Sequence, residues 1–171
     1  MTRAIPPFAI SVRQPWAWAI IHAGKDVENR VKRAITLGRM DRHPELAIHA
    51  ATGMTRDEYE SARDFMASIG VDCPRPDKLV RGAIIGSVTI QGITKNSPSK
   101  WFFGPWALML IRPLPTDPVP CVGHLGAFEW ERGYTDEVRE PLPWMKSWPD
   151  HPGRASRPPR EDNSEQEALP L

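Results

Sequence analysis

The sequence predicts an α+β fold, built as a small β-barrel with two or three helices packed on its outside. Short runs rich in β-branched residues recur along the chain, and two segments carry the apolar spacing of helices. These strand-like and helix-like segments do not alternate with the regular spacing of βαβ units. We therefore expect a small mixed barrel rather than a doubly wound parallel sheet.

The first predicted elements are a strand and a helix that follows it closely. Residues 8–12 (FAISV) form a short apolar run typical of a strand. Pro15 suits the first turn of a helix, where its missing N–H group costs nothing. Apolar residues then recur at helical spacing up to Gly24, which is a natural helix end. These residues are Trp16, Ala19, Ile20 and Ala23.

The middle of the chain predicts a second strand and the longest helix. Residues 46–50 (LAIHA) place Leu46, Ile48 and Ala50 on one face of a strand, with His49 on the other. Thr55 and Glu58 have the spacing of a capping box, in which each side chain bonds the other's backbone N–H group. An apolar stripe follows and ends at Gly70. Its members are Tyr59, Ala62, Met66 and Ile69.

Three later segments complete the predicted sheet. Residues 82–93 (GAIIGSVTIQGI) alternate apolar and polar side chains, which indicates a strand with one buried face. Residues 106–113 (WALMLIRP) form another apolar run that ends in prolines. Residues 119–130 (VPCVGHLGAFEW) are expected to form a strand followed by a short helical turn.

The chain divides into a folded domain over residues 1–145 and a proline-rich tail over residues 146–171. The tail contains five prolines and few apolar residues, so it cannot bury enough surface to offset the entropy of ordering it. We expect it to be mostly disordered, although Trp148 could anchor its beginning.

Composition limits the classes of function. The net charge of the 171 residues is only +1, so any case for nucleic-acid binding must rest on local clustering of charge. Two cysteines do not make a disulfide framework, and no apolar run approaches the ~18 residues of a membrane span. The N-terminus lacks an apolar core of signal-peptide length. We expect a soluble, cytoplasmic monomer with reduced thiols and no membrane partner.

The string GKDVENR at residues 24–30 places Lys25, Glu28 and Arg30 directly after the first helix. If residues 27–31 are extended, Glu28 and Arg30 lie on one face. The three side chains could be a surface ion pair worth ~0–1 kcal/mol. They could instead line a binding site, and their spacing alone does not decide between the two.

Several segments together resemble the ASCH domain of the PUA-like superfamily. They are SVRQPWAWAIIHAGKDVENR (11–30), LAIHAA (46–51), GAIIGSVTI (82–90) and the G-x-x-G-x-F-x-W pattern at 123–130. The resemblance covers roughly residues 8–130. It implies a PUA-like barrel with a cleft beside the first helix, and binding of RNA or another single-stranded nucleic acid, with a flipped or modified base as one form of ligand. On the cleft wall, Glu28 would hold Lys25 or Arg30 so that the cations meet a phosphate or a base edge.

Charge and aromatic residues support such a site. Residues 25–42 carry six basic and three acidic side chains, the local excess expected for a polyanion ligand, although a solvated loop would show a similar pattern. Tryptophan beside lysine can stack on unpaired bases, and buried tryptophan is equally common. The candidate nucleic-acid-binding residues are Gln14, Trp16, Lys25, Glu28, Arg30, Lys32, Arg33, His49, Lys100 and Trp101. We expect Lys25 and Arg30 to border the main cleft, close to Trp16 and the loop 95–101.

Catalysis is the alternative. The resemblance also includes small hydrolases that cleave RNA or remove acyl groups from N4-acylated cytidine, for which Lys25 and Glu28 would be the catalytic groups. Those amidohydrolases have a threonine at the position of Glu28 and a distant glutamate, and TKNSPSKWFFG (94–104) contains no carboxylate. Because a nearby glutamate favours the charged form of a lysine, we favour binding over hydrolysis. Histidine and cysteine spacing indicates no metal site, and we expect no cofactor.

Overall fold

The computed structural model describes residues 4–149. The tail residues 150–171, expected to be disordered, lie outside this range. In chain order the elements are β1 (Phe8–Val12), α1 (Trp16–His22), β2 (Val27–Arg30), α2 (Lys32–Leu37), β3 (Glu45–Ala50), α3 (Arg56–Ser68), β4 (Ala83–Thr94), β5 (Trp106–Pro120), β6 (Phe128–Glu129) and α4 (Pro143–Lys146). Short 3₁₀ turns lie at Met40–Arg42, Pro76–Lys78 and Trp130–Gly133.

The strands form one mixed sheet in the order β2-β5-β4-β3-β1-β6, which confirms the α+β class. β1 and β3 are parallel, and the other neighbouring strands are antiparallel. The barrel is not closed, because β2 and β6 are the two edges of this sheet and no strand pairing within residues 4–149 joins them. The physical reason is the length of β6. It covers only Phe8 and Ala9 of β1, and leaves the rest of that edge without a strand partner.

Both faces of the central strands β1 and β3 are buried. On one face, Ile10 and Ile48 pack with Ile20 of α1 and Ile35 of α2. On the other face, alanines and Ile84 pack against Cys121 and the Phe128–Trp130 segment. This alternation follows from the two-residue period of a strand. The core therefore lies on both sides of the strands that carry Ser11 and His49.

The sequence signals for α3 are confirmed in detail. The Thr55 hydroxyl accepts from the Glu58 backbone N–H group at 3.2 Å, and the Glu58 carboxylate accepts from the Thr55 N–H group at 2.8 Å. Glu58 is further stabilised as an anion, because the Thr55 N–H group and Arg13 hold its pKa below the usual value. The helix then begins at Arg56, one residue after its cap.

Two elements add to the sequence prediction. Residues 32–37 form the helix α2, which the sequence analysis did not assign; this helix has no capping side chain and buries only Ile35, so its pattern is weak. The second element is the start of the tail, which Trp148 was expected to anchor. Met145 is fully buried, and the Trp148 ring lies 5.2 Å from that of Tyr59 while its Nε1 donates to Glu60 at 3.1 Å. The first tail residues are therefore anchored to α3.

Candidate functional site

The G-K-x-x-E-x-R string forms a chain of charged contacts along β2. Gly24, at φ 72°, allows the turn from α1 into this strand. The Lys25 ammonium donates to the Glu28 carboxylate at 2.8 Å and to the Val27 carbonyl at 2.5 Å. The other Glu28 oxygen accepts from Arg30 at 3.2 Å. Glu28 thus holds both cations, as the resemblance implied.

Burial changes the interpretation of these residues. Lys25 is only 3% exposed and Glu28 only 7%, so the alternative of a solvated surface ion pair is wrong. Lys25 lines a small apolar pocket of about 60 Å³ together with Ile20 and Leu110. With its ammonium engaged inside the protein, Lys25 is not placed to meet a phosphate in this conformation.

Arg30 connects the two ends of the open sheet. Its Nη2 donates to the Ser11 backbone carbonyl at 2.8 Å, beyond the point where β6 stops pairing with β1. The side chain is 28% exposed and also contacts Glu28. Arg30 therefore satisfies an unpaired strand carbonyl and keeps part of its guanidinium at the surface.

A cavity much larger than the pocket beside Lys25 lies at the ends of β1 and β3. It measures about 1060 Å³ and is walled by residues 121–125 and 135–140. His49 is the one predicted site residue among its lining. Lys25 and Arg30 are not among the residues that line this cavity, although Arg30 donates to the carbonyl of Ser11 at its wall. That the two cations border the main cleft stays a prediction.

His49 is a satisfied interior histidine. It is 1% exposed; its Nδ1 lies 2.9 Å from the Ser11 hydroxyl and its Nε2 lies 3.0 Å from the Cys121 carbonyl. Burial lowers the pKa of His49, and nearby His124 acts in the same direction, while the Cys121 carbonyl acts against it. The ring is therefore held neutral near physiological pH.

The aromatic residues form a cluster at the surface beside α1 and α3. Trp101 is only 6% exposed, packed against Trp16 and Phe65, so it is not free to stack on a base. Phe103 is instead 59% exposed, with its ring 6.4 Å from Trp16 and 4.8 Å from Phe65. Trp16, Phe65 and Phe103 line a shallow hollow of about 490 Å³ with Asp57 on its rim.

Asn29 was missed at the sequence level as a positioning residue. Its amide nitrogen donates to the Trp101 carbonyl at 2.8 Å, and its oxygen accepts from the N–H groups of Phe103 and Gly104. The loop that presents Phe103 is therefore attached to β2. The signal that could have found it is the side-chain alternation in VENR, which puts Asn29 on the face opposite Glu28 and Arg30.

A cluster of exposed cations follows β2, and we name it the α2 basic surface. It comprises Lys32, Arg33, Arg39 and Arg42. Within residues 4–149, none of the four forms a salt bridge. The Lys32 ammonium lies 4.7 Å from the centre of the Trp106 ring. Trp106 is on β5, where its backbone pairs with that of Arg30 on β2. Lys95 and Lys100 are also exposed, in the loop before Trp101.

Gln14 is structural in its contacts. It is 2% exposed; its amide donates to the Val80 carbonyl at 2.7 Å, and its oxygen accepts from the Trp18 N–H group at 2.9 Å. The second bond satisfies a donor in the first turn of α1, which has no other capping side chain. The Q-P-W-A segment therefore fixes α1 and, through it, the position of Trp16.

The described residues contain neither a cluster of metal ligands nor a long apolar helix. No group of three or more His, Cys, Asp or Glu side chains within residues 4–149 is arranged to hold a metal ion. In the same range, every helix is too short or too polar to cross a membrane.

No protein-family model and no curated protein matches the chain. The crystal structure of a mutant ZmASCH protein from Zymomonas mobilis is similar over 68% of this chain and 77% of that chain, at 19% identity and a TM-score of 0.33. A similarity at this level transfers no activity, ligand or residue role. The fold and site themselves define an α+β protein with an open mixed sheet, an exposed basic surface and a nearby aromatic cluster.

Proposed function

We propose that this protein binds nucleic acid, with RNA as the expected ligand, through the α2 basic surface. The observation that carries the proposal is the absence of salt-bridge partners for Lys32, Arg33, Arg39 and Arg42 within the described part of the chain. By contrast, the exposed Arg13 and Arg132 and the partly buried Arg56 each contact a carboxylate. Unpaired cations grouped on one surface are available for phosphates.

An aromatic contact is available near this charge. Phe103 is the most exposed ring of its cluster, and Lys100 lies three residues before it. Asn29 holds the Phe103 loop on β2, and β2 runs directly into α2. A single strand whose phosphates contact α2 therefore has a ring within reach on the other side of β2. Stacking of an unpaired base on such a ring is worth ~1–3 kcal/mol.

The buried charges of β2 have a positioning role in this proposal. Glu28, held by Lys25, orients Arg30 and leaves part of its guanidinium exposed for a phosphate or base edge. The resemblance to ASCH domains supports the same region as the binding face. Lys25 and Gln14 act through their neighbours, because both are buried and fully engaged.

The geometry favours binding over the hydrolase alternative. A catalytic lysine or glutamate must reach the substrate, and the Lys25 ammonium and Glu28 carboxylate are instead paired inside the protein. No observation in the described residues supplies the second carboxylate that acyl hydrolysis would need at this position.

The first experiment is a binding screen by fluorescence anisotropy. The full chain is titrated into labelled single-stranded RNA, single-stranded DNA and both duplexes of one sequence. The test variant carries Arg33→Gln and Arg39→Gln, and the control carries Arg132→Gln, an exposed cation already paired with Glu129. We expect the test variant to lose at least tenfold in affinity for the preferred ligand and the control to lose less than twofold. Equal affinities for all three proteins would overturn the proposal.

A further inference from the structure

A serine and a histidine form a hydrogen-bonded pair at the wall of the cavity of about 1060 Å³. Ser11 lies on β1 and His49 lies on the neighbouring strand β3, in register with each other. The Ser11 hydroxyl and His49 Nδ1 are 2.9 Å apart. Ser11 is partly exposed and is one of the residues that line the cavity of about 1060 Å³.

The contacts of His49 fix its tautomer. The Cys121 carbonyl, 3.0 Å from Nε2, can only accept, so Nε2 carries the proton. Nδ1 is then the acceptor for the Ser11 hydroxyl. Burial lowers the pKa of His49, which keeps Nδ1 unprotonated and able to take a proton.

The backbone next to this pair supplies hydrogen-bond donors. A side chain at Gly123 would place its Cβ 2.5 Å from both the Ser11 hydroxyl and the His49 ring, so the backbone itself packs against the two side chains. Within the described residues, the N–H groups of Gly123 and His124 have no hydrogen-bond acceptor. Free backbone donors beside a hydroxyl are the elements of an oxyanion hole.

The charge of the cavity wall selects among ligands. Asp136, Glu137 and Glu140 contribute three carboxylates, against the single guanidinium of Arg139. Val122 and Leu125 supply apolar surface on the same wall. A ligand with an apolar body and a positive charge fits this combination better than a phosphate does.

We propose that Ser11 is a nucleophile for acyl transfer in this cavity, with His49 as its general base and carboxylic esters that carry a cationic group as its substrates. The Ser11 oxygen forms a bond to the ester carbonyl carbon while its proton moves to His49 Nδ1. The tetrahedral oxyanion is met by the N–H groups beside Gly123. The carbon–oxygen bond to the alcohol breaks, and the alcohol leaves with the proton from His49.

Hydrolysis of the acyl-enzyme completes the turnover. Water attacks the carbonyl carbon and gives its proton to His49, which returns it to the Ser11 oxygen as the acid leaves. The Cys121 carbonyl stays bonded to Nε2 and orients the ring throughout, in the place where a carboxylate acts in other serine enzymes. No metal or redox partner enters these steps, and the activity is independent of nucleic-acid binding.

The first test is covalent labelling of the full chain with a fluorophosphonate, followed by mass spectrometry of the peptides. We expect one phosphonyl group on Ser11, and a loss of labelling of at least tenfold in Ser11→Ala and in His49→Gln. The matched control is Ser99→Ala, an exposed serine bonded to Asp26, which should label as the wild type does. Absence of an adduct on Ser11 in the folded wild-type protein would overturn the proposal without reference to any variant.

The second test measures the substrate class. Release of p-nitrophenolate is compared for a p-nitrophenyl ester with a trimethylammonium group and one with a carboxylate at the same position. We expect kcat/KM to be at least tenfold higher for the cationic ester, and Glu137→Gln with Glu140→Gln to reduce this ratio severalfold while fluorophosphonate labelling persists. Equal rates for the two esters would contradict the proposed substrate class.

Discussion

The guanidinium of Arg30 donates to the backbone carbonyl of Ser11 across the gap between the two ends of the sheet. The two residues lie on β2 and β1, which are not neighbours in the strand order. β6 would have to be longer to cover this carbonyl, and it stops at the pair of Ala9 and Phe128. A single side chain therefore makes the hydrogen bond to the Ser11 carbonyl that a neighbouring strand would make in a closed barrel.

Loss of this bond should destabilise the fold. Arg30→Gln removes a charged hydrogen bond and leaves Glu28 with one cation. We expect the free energy of unfolding to fall by about 1–2 kcal/mol. Hydrogen bonds to charged groups can contribute more, but the Arg30 side chain is partly exposed to solvent. Urea denaturation measures the change. Arg33→Gln is the matched control and should stay within about 0.5 kcal/mol of wild type. Equal stability of the two variants would show that the bond contributes nothing.

The buried pair of Lys25 and Glu28 should behave as a coupled unit. Lys25→Met leaves a buried carboxylate, and Glu28→Gln leaves a buried ammonium, so each should cost about 3–5 kcal/mol. The double variant should cost less than the sum of the two by at least about 1 kcal/mol. A double-mutant cycle in urea measures this coupling, and strictly additive costs would argue against a structural pair.

The end of the folded domain can be located with two variants. Deletion of residues 150–171 should leave the free energy of unfolding within about 0.5 kcal/mol of wild type, since the segment is poor in apolar residues. Trp148→Ala should lower it by about 1–2 kcal/mol, because the ring packs on Tyr59. Thermal unfolding of both variants checks this, and a large effect of the deletion would show that the tail contributes to the fold.

The pH dependence of stability should report on His49. Its pKa is lower in the folded protein than in the unfolded chain, so the unfolded state takes up the proton first as the pH falls. Stability should be full above pH ~6.5 and decline progressively below it. Denaturation curves at several pH values should show a weaker decline for His49→Gln than for wild type. The exposed His22→Gln should keep the wild-type slope, and the same slope in all three would contradict this origin.

Local sequence signals predicted much of the secondary structure. The capping box of α3, the strand at 8–12 and the strand around His49 depend on neighbours in sequence, and the structure has them. The alternation in VENR also predicted that Glu28 and Arg30 share a face, and they are bonded. Such features follow from residue spacing alone.

Features that depend on distant packing were harder to predict. Burial of Trp101 depends on α1 and α3 packing beside β2, and Lys25 lies beside Ile20 of α1 and Leu110 of β5. No local pattern reveals either arrangement. The open sheet depends on β6 being only two residues long. The predicted strand and short helical turn over residues 119–130 did not specify that length. Phe103 is the exposed ring, where Trp101 was expected. The Phe103 N–H group donates to Asn29, which lies 74 residues away in sequence and holds the loop in place.

The salt dependence of RNA affinity tests the central claim most directly. If the α2 basic surface contacts phosphates, the plot of log affinity against log salt for single-stranded RNA should have a slope that becomes less steep by about one unit in Arg33→Gln. Phe103→Ala should weaken binding by ~1–3 kcal/mol with little change in slope. Arg132→Gln should match wild type in both respects. A slope and affinity unchanged in Arg33→Gln and in Arg39→Gln would contradict nucleic-acid binding at this surface.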